Sequence, residues 1–161
     1  MSSHVWSQKK HNQDFLTVGS MGHCSSIALG LALERTDKKI VCIDGDGSLI
    51  MHMGNIATVG NLKPKNYYHI LINNESHESV GGQPTSASTV DFTSLLSASG
   101  YKNIFYSDNK KQLKSSLENF FSDGPNFLEI LVQKGSRSNL GRPTIEPINN
   151  KNSFMNFLKK S

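Results

Sequence analysis

The stretch that decides the fold is KIVCIDGDGS at residues 39–48, which is followed along the chain by YYHILINN at residues 67–74. Each stretch begins with a nearly continuous apolar run, typical of a parallel strand that is covered on both faces. The first run ends at the acidic turn Gly45-Asp46-Gly47-Ser48 and the second ends at Asn73-Asn74. With a helix predicted over 48–61 between them, both polar turns are expected at one edge of a sheet.

The rest of the chain continues the alternation of helix and strand. The pattern predicts further helices at 20–35, from Asp91 to Gly100, at 110–121 and, as a short piece, at 154–158, and further strands at 103–106 and 127–132. This alternation predicts an α/β fold with a parallel sheet and helices on both faces. A long polar connection, 73–90, is expected to be a binding loop. The predicted organisation is a polar N-terminal segment at 1–14, one domain at 15–135 and a C-terminal tail at 136–161.

Composition and charge limit the function classes. The chain has 161 residues, 36% of them apolar and 19% charged, which is typical of one globular domain. The net charge of +4 is compatible with nucleic acid or with small anionic ligands, and for most lysines ordinary solubilising charge suffices. No basic stripe interleaved with aromatic residues is present, so we expect no nucleic-acid partner. Without a membrane-spanning apolar run or a signal-peptide pattern, we expect a soluble, cytoplasmic protein with no membrane partner.

Cysteine usage gives no sign of a disulfide framework. Cys24 falls in a predicted helix and Cys42 in a predicted strand, and neither has the spacing of a metal-ligand motif. Two thiols of this kind in an intracellular chain are usually small core residues. His69 is likewise interpreted as a structural or solvated residue.

The two polar turns have the residue types of a cation and diphosphate site. Asp46 can supply a carboxylate oxygen and Asn74 a neutral amide oxygen, which suits Mg²⁺ when ligand phosphates complete its shell. Gly45 and Gly47 let the backbone approach phosphate oxygens closely, and the N–H groups near Ser48 face outward at a helix start. An ordinary nucleotide site is not favoured, because the chain has neither a Gly-x-Gly-x-x-Gly turn nor a Gly-Lys-Ser/Thr phosphate loop.

The arrangement from Gly45-Asp46-Gly47 to Asn73-Asn74 resembles the signature of thiamine diphosphate enzymes. The resemblance implies that the side chains of Asp46 and Asn74 and the carbonyl of Ser76 bind Mg²⁺. Upstream, Gly19-Ser20-Met21-Gly22 resembles the segment that holds the aminopyrimidine ring, with a carbonyl acceptor at Gly19 and an apolar wedge at Met21. The implied cofactor-binding residues are Gly19, Ser20, Met21, Gly45, Asp46, Gly47, Ser48, Asn74 and Ser76.

Longer stretches narrow the resemblance. GSMGHCSSIALGLAL at 19–33, IDGDGSLIMHMGNIATVG at 43–60 and NNESHESVGGQPT at 73–85 resemble phosphonopyruvate decarboxylases and, next, sulfopyruvate decarboxylase β subunits. The implied reaction converts phosphonopyruvate, a small anionic 2-keto acid, to phosphonoacetaldehyde and CO₂ in phosphonate biosynthesis, with sulfopyruvate as the alternative substrate. His23 and His77 are the candidate catalytic residues near the cofactor, and 79–85 is expected to cover the thiazolium ring.

One part of the family's machinery has no counterpart in this chain. The glutamate that activates the cofactor belongs to a separate pyrimidine-binding domain, and no glutamate here has a matching context. The resemblance therefore implies a partner domain or subunit and an oligomer with active sites at subunit interfaces. Three alternatives stay open: a natural subunit of a split enzyme, a truncated fragment that is inactive alone, and a non-catalytic cofactor-binding or assembly module.

Overall fold

The computed structural model describes residues 13–136 and 143–160, which divide between two compact units. One unit combines residues 1–20 with 135–161, and the other spans Met21–Lys134. The predicted domain at 15–135 contains the second unit, and its exact boundaries stay predictions. Most of the predicted polar segment at 1–14 lies outside the described residues.

The unit Met21–Lys134 is built on a sheet of four parallel strands. The strands are β1 (Ile40–Gly45), β2 (Tyr67–Asn73), β3 (Asn103–Ser107) and β4 (Asn126–Leu131). Their order across the sheet is β1-β2-β4-β3, so β2 and β4 are central. Each strand lies within a residue or two of its predicted position, because the apolar runs are continuous and the flanking turns are polar.

Helices connect the strands of this unit. They are α1 (Cys24–Glu34), α2 (Asp46–Met51), α3 (Asn55–Leu62), α4 (Phe92–Ala98) and α5 (Lys110–Phe120). Two prediction errors concern the first of them. The helix predicted from residue 20 begins only at Cys24, because Ser20 and Gly22 have positive φ angles of 45° and 93°. The single helix predicted at 48–61 is wrong: α2 starts at Asp46, and the chain leaves helical geometry at His52 (φ −131°, ψ 43°) before α3.

Two clusters of buried side chains cover the two faces of the sheet, which confirms the predicted layers. Alternation along β2 directs Tyr67 and Leu71 to one cluster and Tyr68 to the other. The larger cluster contains residues of α1, α3 and α4, and the smaller one is closed by Phe120 of α5. Helices therefore pack on both faces, and the carboxyl ends of the strands remain at one edge for a ligand.

The other unit is organised by α6 (Pro147–Lys160), which is much longer than the short helix predicted at 154–158. Its early turns are rich in asparagine, a poor helix former, so propensity alone does not indicate them. Tertiary contacts hold them instead: Asn150 is buried and its Oδ1 accepts a hydrogen bond of 3.0 Å from Leu16 N, while the Phe15 and Phe154 rings lie 5.7 Å apart. None of the helices in the described parts of the chain is long and apolar enough to cross a membrane.

Candidate cofactor and metal site

The two polar turns singled out in the sequence follow neighbouring strands. In the parallel ladder, Gly45 at the end of β1 pairs with Ile72 near the end of β2. Asp46 and Asn74 therefore lie just beyond the carboxyl ends of adjacent strands, as the sequence predicts. This edge is where ligands bind in parallel α/β sheets.

Asp46 is the first residue of α2 and is only 2% exposed. Its Oδ2 accepts a hydrogen bond from Thr85 Oγ1, and that hydroxyl oxygen in turn accepts 3.3 Å from Ala87 N. None of the ion pairs in the described part of the chain involves Asp46. A buried carboxylate without a cationic side chain is costly, so a bound cation would stabilise it.

Gly47 brings the loop after β2 against this turn. A Cβ at Gly47 would overlap the imidazole of His77 and would lie 3.1 Å from the Thr85 methyl group. Only a glycine leaves room for both side chains, which is the close approach that the sequence pattern predicts. His77, a predicted catalytic residue, is therefore half-buried beside the Asp46 turn. The individual role of Thr85 is not apparent from the sequence, although it ends the predicted covering loop.

The segment after β2 folds back on itself. Asn74 Oδ1 accepts a hydrogen bond of 3.1 Å from Ser76 N, and Glu75 between them has a φ of 55°. Ser76 pairs with Pro84 in an isolated antiparallel bridge, and Thr85 N donates 3.1 Å to Glu75 O. The long connection is thus a compact loop, and its closure delivers Thr85 to Asp46.

Asn73 anchors the base of this loop. Its Nδ2 donates a hydrogen bond of 2.8 Å to Oε1 of Glu129 on β4, and its Oδ1 accepts 3.2 Å from Glu75 N. Burial raises the pKa of Glu129, while the bond from Asn73 opposes the shift. Sequence reasoning did not single out Glu129; a glutamate inside the apolar run FLEILV was the available signal.

The segment before α1 contacts the end of α2. Gly22 N donates a hydrogen bond of 3.0 Å to Ser48 Oγ, whose own proton remains free to donate, for example to a phosphate oxygen. His23 stacks on His52 with ring centroids 4.1 Å apart, so the structure places this predicted catalytic residue in a histidine pair. Met21 begins the unit that contains the sheet, whereas Gly19 and Ser20 belong to the other unit, with φ angles of 78° and 45°.

Beneath the Asp46 turn, a second group of polar side chains lies inside the core. One ligand-type atom each from Cys42, Asp44 and His69 lies within 4.8 Å of the other two, and all three residues are buried. Cys24 Sγ is 3.5 Å from Cys42 Sγ. The neighbouring Cys24 thiol, followed by burial, raises the pKa of Cys42 well above its usual value. The sequence motifs did not predict this cluster.

The donor set at the sheet edge fits Mg²⁺. It consists of the Asp46 carboxylate, the Asn74 amide oxygen and the Ser76 carbonyl, which are the hard oxygen ligands that Mg²⁺ accepts beside phosphates. Asp46 and Ser76 are both buried, at 2% and 8% exposure, so their positions are fixed by packing. These residues are able to hold a Mg²⁺–diphosphate group.

The chain matches the family of thiamine pyrophosphate enzymes, C-terminal TPP binding domain, over residues 1–130. It is 34% identical to a phosphonopyruvate decarboxylase of Streptomyces viridochromogenes, over 98% of this chain and 40% of that protein. It is 33% identical to a sulfopyruvate decarboxylase subunit beta of Methanococcus maripaludis, over 99% of this chain and 85% of that subunit.

A solved structure agrees with this match at the level of the fold. A Mycobacterium smegmatis protein described as a thiamin diphosphate-dependent enzyme aligns with a TM-score of 0.61 at 22% identity, over 73% of this chain and 23% of that chain. The chain spans less than half of the phosphonopyruvate decarboxylases that it matches. By its match over residues 1–130, the chain belongs to the thiamine pyrophosphate enzymes and carries their C-terminal TPP-binding domain.

Proposed function

We propose that this chain is the thiamine diphosphate- and Mg²⁺-binding half of a 2-keto acid decarboxylase whose first candidate substrate is phosphonopyruvate. The products are phosphonoacetaldehyde and CO₂. The observation that carries the proposal is Asp46: a buried carboxylate, without a cationic side-chain partner in the described residues, at the carboxyl edge of β1 and next to the Asn74 turn.

Each residue at this edge has a proposed part in binding. Asp46, Asn74 and the Ser76 carbonyl hold Mg²⁺, while Gly47 and Ser48 give the diphosphate close access to backbone and hydroxyl donors. Gly45 continues this turn. Gly19, Ser20 and Met21 are the proposed contacts to the pyrimidine end of the cofactor. Bound thiamine diphosphate supplies the electron-accepting chemistry that allows a 2-keto acid to lose CO₂.

His77 is the better placed of the two candidate catalytic histidines. Its ring packs over Gly47 and beside Thr85, within the group that holds Asp46. An imidazole at this position can donate a hydrogen bond to an anionic substrate or move a proton near the cofactor. His23 keeps its proposed role, and its stacking on His52 gives the ring a fixed orientation.

The proposed partner is a chain or domain that binds the pyrimidine ring and supplies the activating glutamate. Two features support it: the chain spans only 40% of one phosphonopyruvate decarboxylase, and it spans 85% of a protein named as a subunit of sulfopyruvate decarboxylase. The second of these also favours sulfopyruvate as the alternative substrate. Both substrates are pyruvates with an anionic group at C3, which suits a chain of net charge +4.

The proposal is tested by reconstitution. The chain is mixed with candidate pyrimidine-binding proteins from the same genome, thiamine diphosphate and Mg²⁺, and CO₂ release is measured from phosphonopyruvate, sulfopyruvate and pyruvate. We expect release with one partner, preference for phosphonopyruvate and loss of activity in Asp46→Ala, while the exposed control Glu34→Gln retains it. A sulfopyruvate preference selects the alternative substrate. Cofactor binding without decarboxylation of any substrate would contradict the enzymatic assignment and leave a non-catalytic module.

A further inference from the structure

The cluster of Cys42, Asp44 and His69 is separate from the proposed Mg²⁺ ligands and has no part in the decarboxylase proposal. The strands bring it together: Cys42 pairs with His69 across the β1–β2 ladder, and Asp44 lies two residues further along β1 on the same face. Cys24, the first residue of α1, adds a second thiol 3.5 Å from that of Cys42. Two thiols, a carboxylate and an imidazole thus meet where α1, β1 and β2 pack.

Two polar atoms in this cluster face each other without a hydrogen bond. Asp44 Oδ2 and His69 Nε2 are 3.8 Å apart, and neither has a hydrogen-bond partner among the described residues. Both residues are almost fully buried, with exposures of 4% and 0%. The other atom of each side chain is engaged: Gly45 N donates 3.1 Å to Asp44 Oδ1, and His69 Nδ1 lies 3.2 Å from Tyr101 Oη.

The contact with Tyr101 bears on the tautomer of His69. When Nδ1–H donates to Tyr101 Oη, Nε2 presents its lone pair toward the carboxylate of Asp44. Two electron-rich atoms facing each other in a buried space are stabilised by a cation between them. A histidine that ligates a metal through one nitrogen commonly donates its other N–H to an oxygen, as this arrangement allows.

The distances suit a tetrahedral ion. With zinc-to-ligand bonds of about 2.0–2.3 Å, the ligand atoms of a tetrahedral site lie about 3.3–3.8 Å apart. The separations of 3.5 Å between the two sulfurs and 3.8 Å between Asp44 Oδ2 and His69 Nε2 fall in this range. The upper limit of 4.8 Å within the trio requires a contraction of about 1 Å, which side-chain rotation can supply.

We propose that Cys24, Cys42, Asp44 and His69 bind one divalent transition-metal ion of the zinc type. Thiolate and imidazole ligands select zinc, or cobalt as its substitute, over Mg²⁺ and Ca²⁺. Binding is coordination without a redox change: the two thiols lose their protons to solvent, and the carboxylate and the neutral imidazole each share a lone pair. Cys24 is partly exposed and gives the ion access from solvent.

The ion ties the start of α1 to β1 and β2. Asp44 precedes Asp46 by two residues, so a metal at this position also braces the strand end from which the Mg²⁺ ligand projects. The proposed site is therefore structural and sits beneath the cofactor edge. It does not depend on which 2-keto acid is decarboxylated, or on whether the chain is catalytic.

The test is titration of the metal-free, reduced full chain with Co²⁺. Thiolate ligation gives a sulfur-to-cobalt charge-transfer absorption in the near ultraviolet, and tetrahedral geometry gives intense visible bands. We expect both to saturate at one Co²⁺ per chain and to disappear when Zn²⁺ is added. Absence of the charge-transfer band would overturn the proposal, as would a Cys24–Cys42 disulfide with no bound metal in protein purified without reductant.

Variants separate ligation from folding. Cys42→Ser should abolish the charge-transfer band, Cys24→Ser should weaken it, and Tyr101→Phe should lower Co²⁺ affinity by about tenfold as the loss of an outer partner. The control Glu34→Gln, an exposed carboxylate on α1, should bind Co²⁺ as the parent does. Circular dichroism checks that each variant folds, and if Cys42→Ser does not, Cys24→Ser at the helix start provides the test. An unchanged band in the folded cysteine variants would contradict the site.

Discussion

Two aspartates only two residues apart on the chain lie in very different surroundings. Asp46 is beyond the end of β1, where Thr85 donates to its carboxylate and the Asn74 turn lies on the adjacent strand. Asp44 is still within β1 and faces the core, where one oxygen has no hydrogen-bond donor and His69 lies 3.8 Å away. Their contrast shows that position relative to the sheet edge decides which ion a carboxylate can serve: oxygen donors and phosphates at the edge, sulfur and nitrogen donors inside.

Exchanging the two carboxylates for neutral side chains is the strongest way to break this contrast. Asp46→Ala should lower the affinity for thiamine diphosphate with Mg²⁺ by about 3 kcal/mol, roughly 100-fold, because a buried charged ligand is lost. Asp44→Asn should leave that affinity nearly unchanged and weaken Co²⁺ binding instead. Calorimetry measures the first and Co²⁺ absorption the second. Equal loss of cofactor affinity in both variants would show that the two sites are not separate.

Gly47 sharpens the picture of the edge site. Gly47→Ala adds a methyl group where the His77 ring and the Thr85 methyl lie, so we expect a destabilisation of about 1–3 kcal/mol together with weaker cofactor binding. Gly30→Ala is the matched control, because Gly30 is exposed on α1 and an added Cβ there meets nothing within 4 Å. That change should stabilise the fold by about 0.5–1 kcal/mol. Urea unfolding of both variants provides the comparison, and equal effects would contradict the packing described for His77.

Thr85 distinguishes Asp46 from Asp44 by a single hydroxyl group. Thr85→Val keeps the shape of the side chain but removes the donor to Asp46 Oδ2, so we expect a loss of about 1.5 kcal/mol, roughly tenfold, in cofactor affinity. Thr85→Ser retains a hydroxyl and should recover most of this affinity. Titration of Mg²⁺ at fixed cofactor tests whether the defect lies at the metal. Failure of serine to restore affinity would assign the effect to packing.

Glu129 offers a third buried carboxylate for comparison, and the smallest expected effect. Its folded-state pKa is raised mainly by burial, so the folded chain retains this proton more readily than the unfolded chain does. The stabilisation is complete below the ordinary glutamate pKa and is lost as the pH rises through the higher, folded-state value.

Glu129→Gln removes this pH dependence while keeping an oxygen acceptor for Asn73. The variant should match the parent near pH 4 and be the more stable of the two at pH 7, as measured by urea unfolding over a pH series. A parent chain that gains stability relative to the variant as the pH rises would contradict the raised pKa.

The sheet and the edge site were largely predictable because they depend on local signals. Continuous apolar runs fix the strands, and the Gly45–Ser48 and Asn73-Asn74 turns fix the edge. The break at His52 was not predictable in the same way, since it depends on packing against Gly22, whose Cβ position the imidazole fills. The early turns of α6 depend similarly on tertiary contacts of Asn150.

The core cluster was missed for a different reason. Metal motifs are usually recognised by spacing along one segment, whereas Cys42, Asp44 and His69 meet only through the register of two strands and their alternating faces. Following alternate residues of both strands would have placed Cys42 opposite His69. Cys24 depends in addition on where α1 begins, which the sequence reasoning set four residues too early.

The most direct test of the central assignment is isothermal titration of thiamine diphosphate with Mg²⁺ into this chain together with a pyrimidine-binding partner, for the parent and for Asp46→Ala. We predict saturable binding at one cofactor per chain in the parent mixture, dependence on Mg²⁺, and a loss of about 100-fold in the variant. Binding that is equally tight with and without Asp46, or no binding with any such partner, would contradict the assignment of this edge as the diphosphate site.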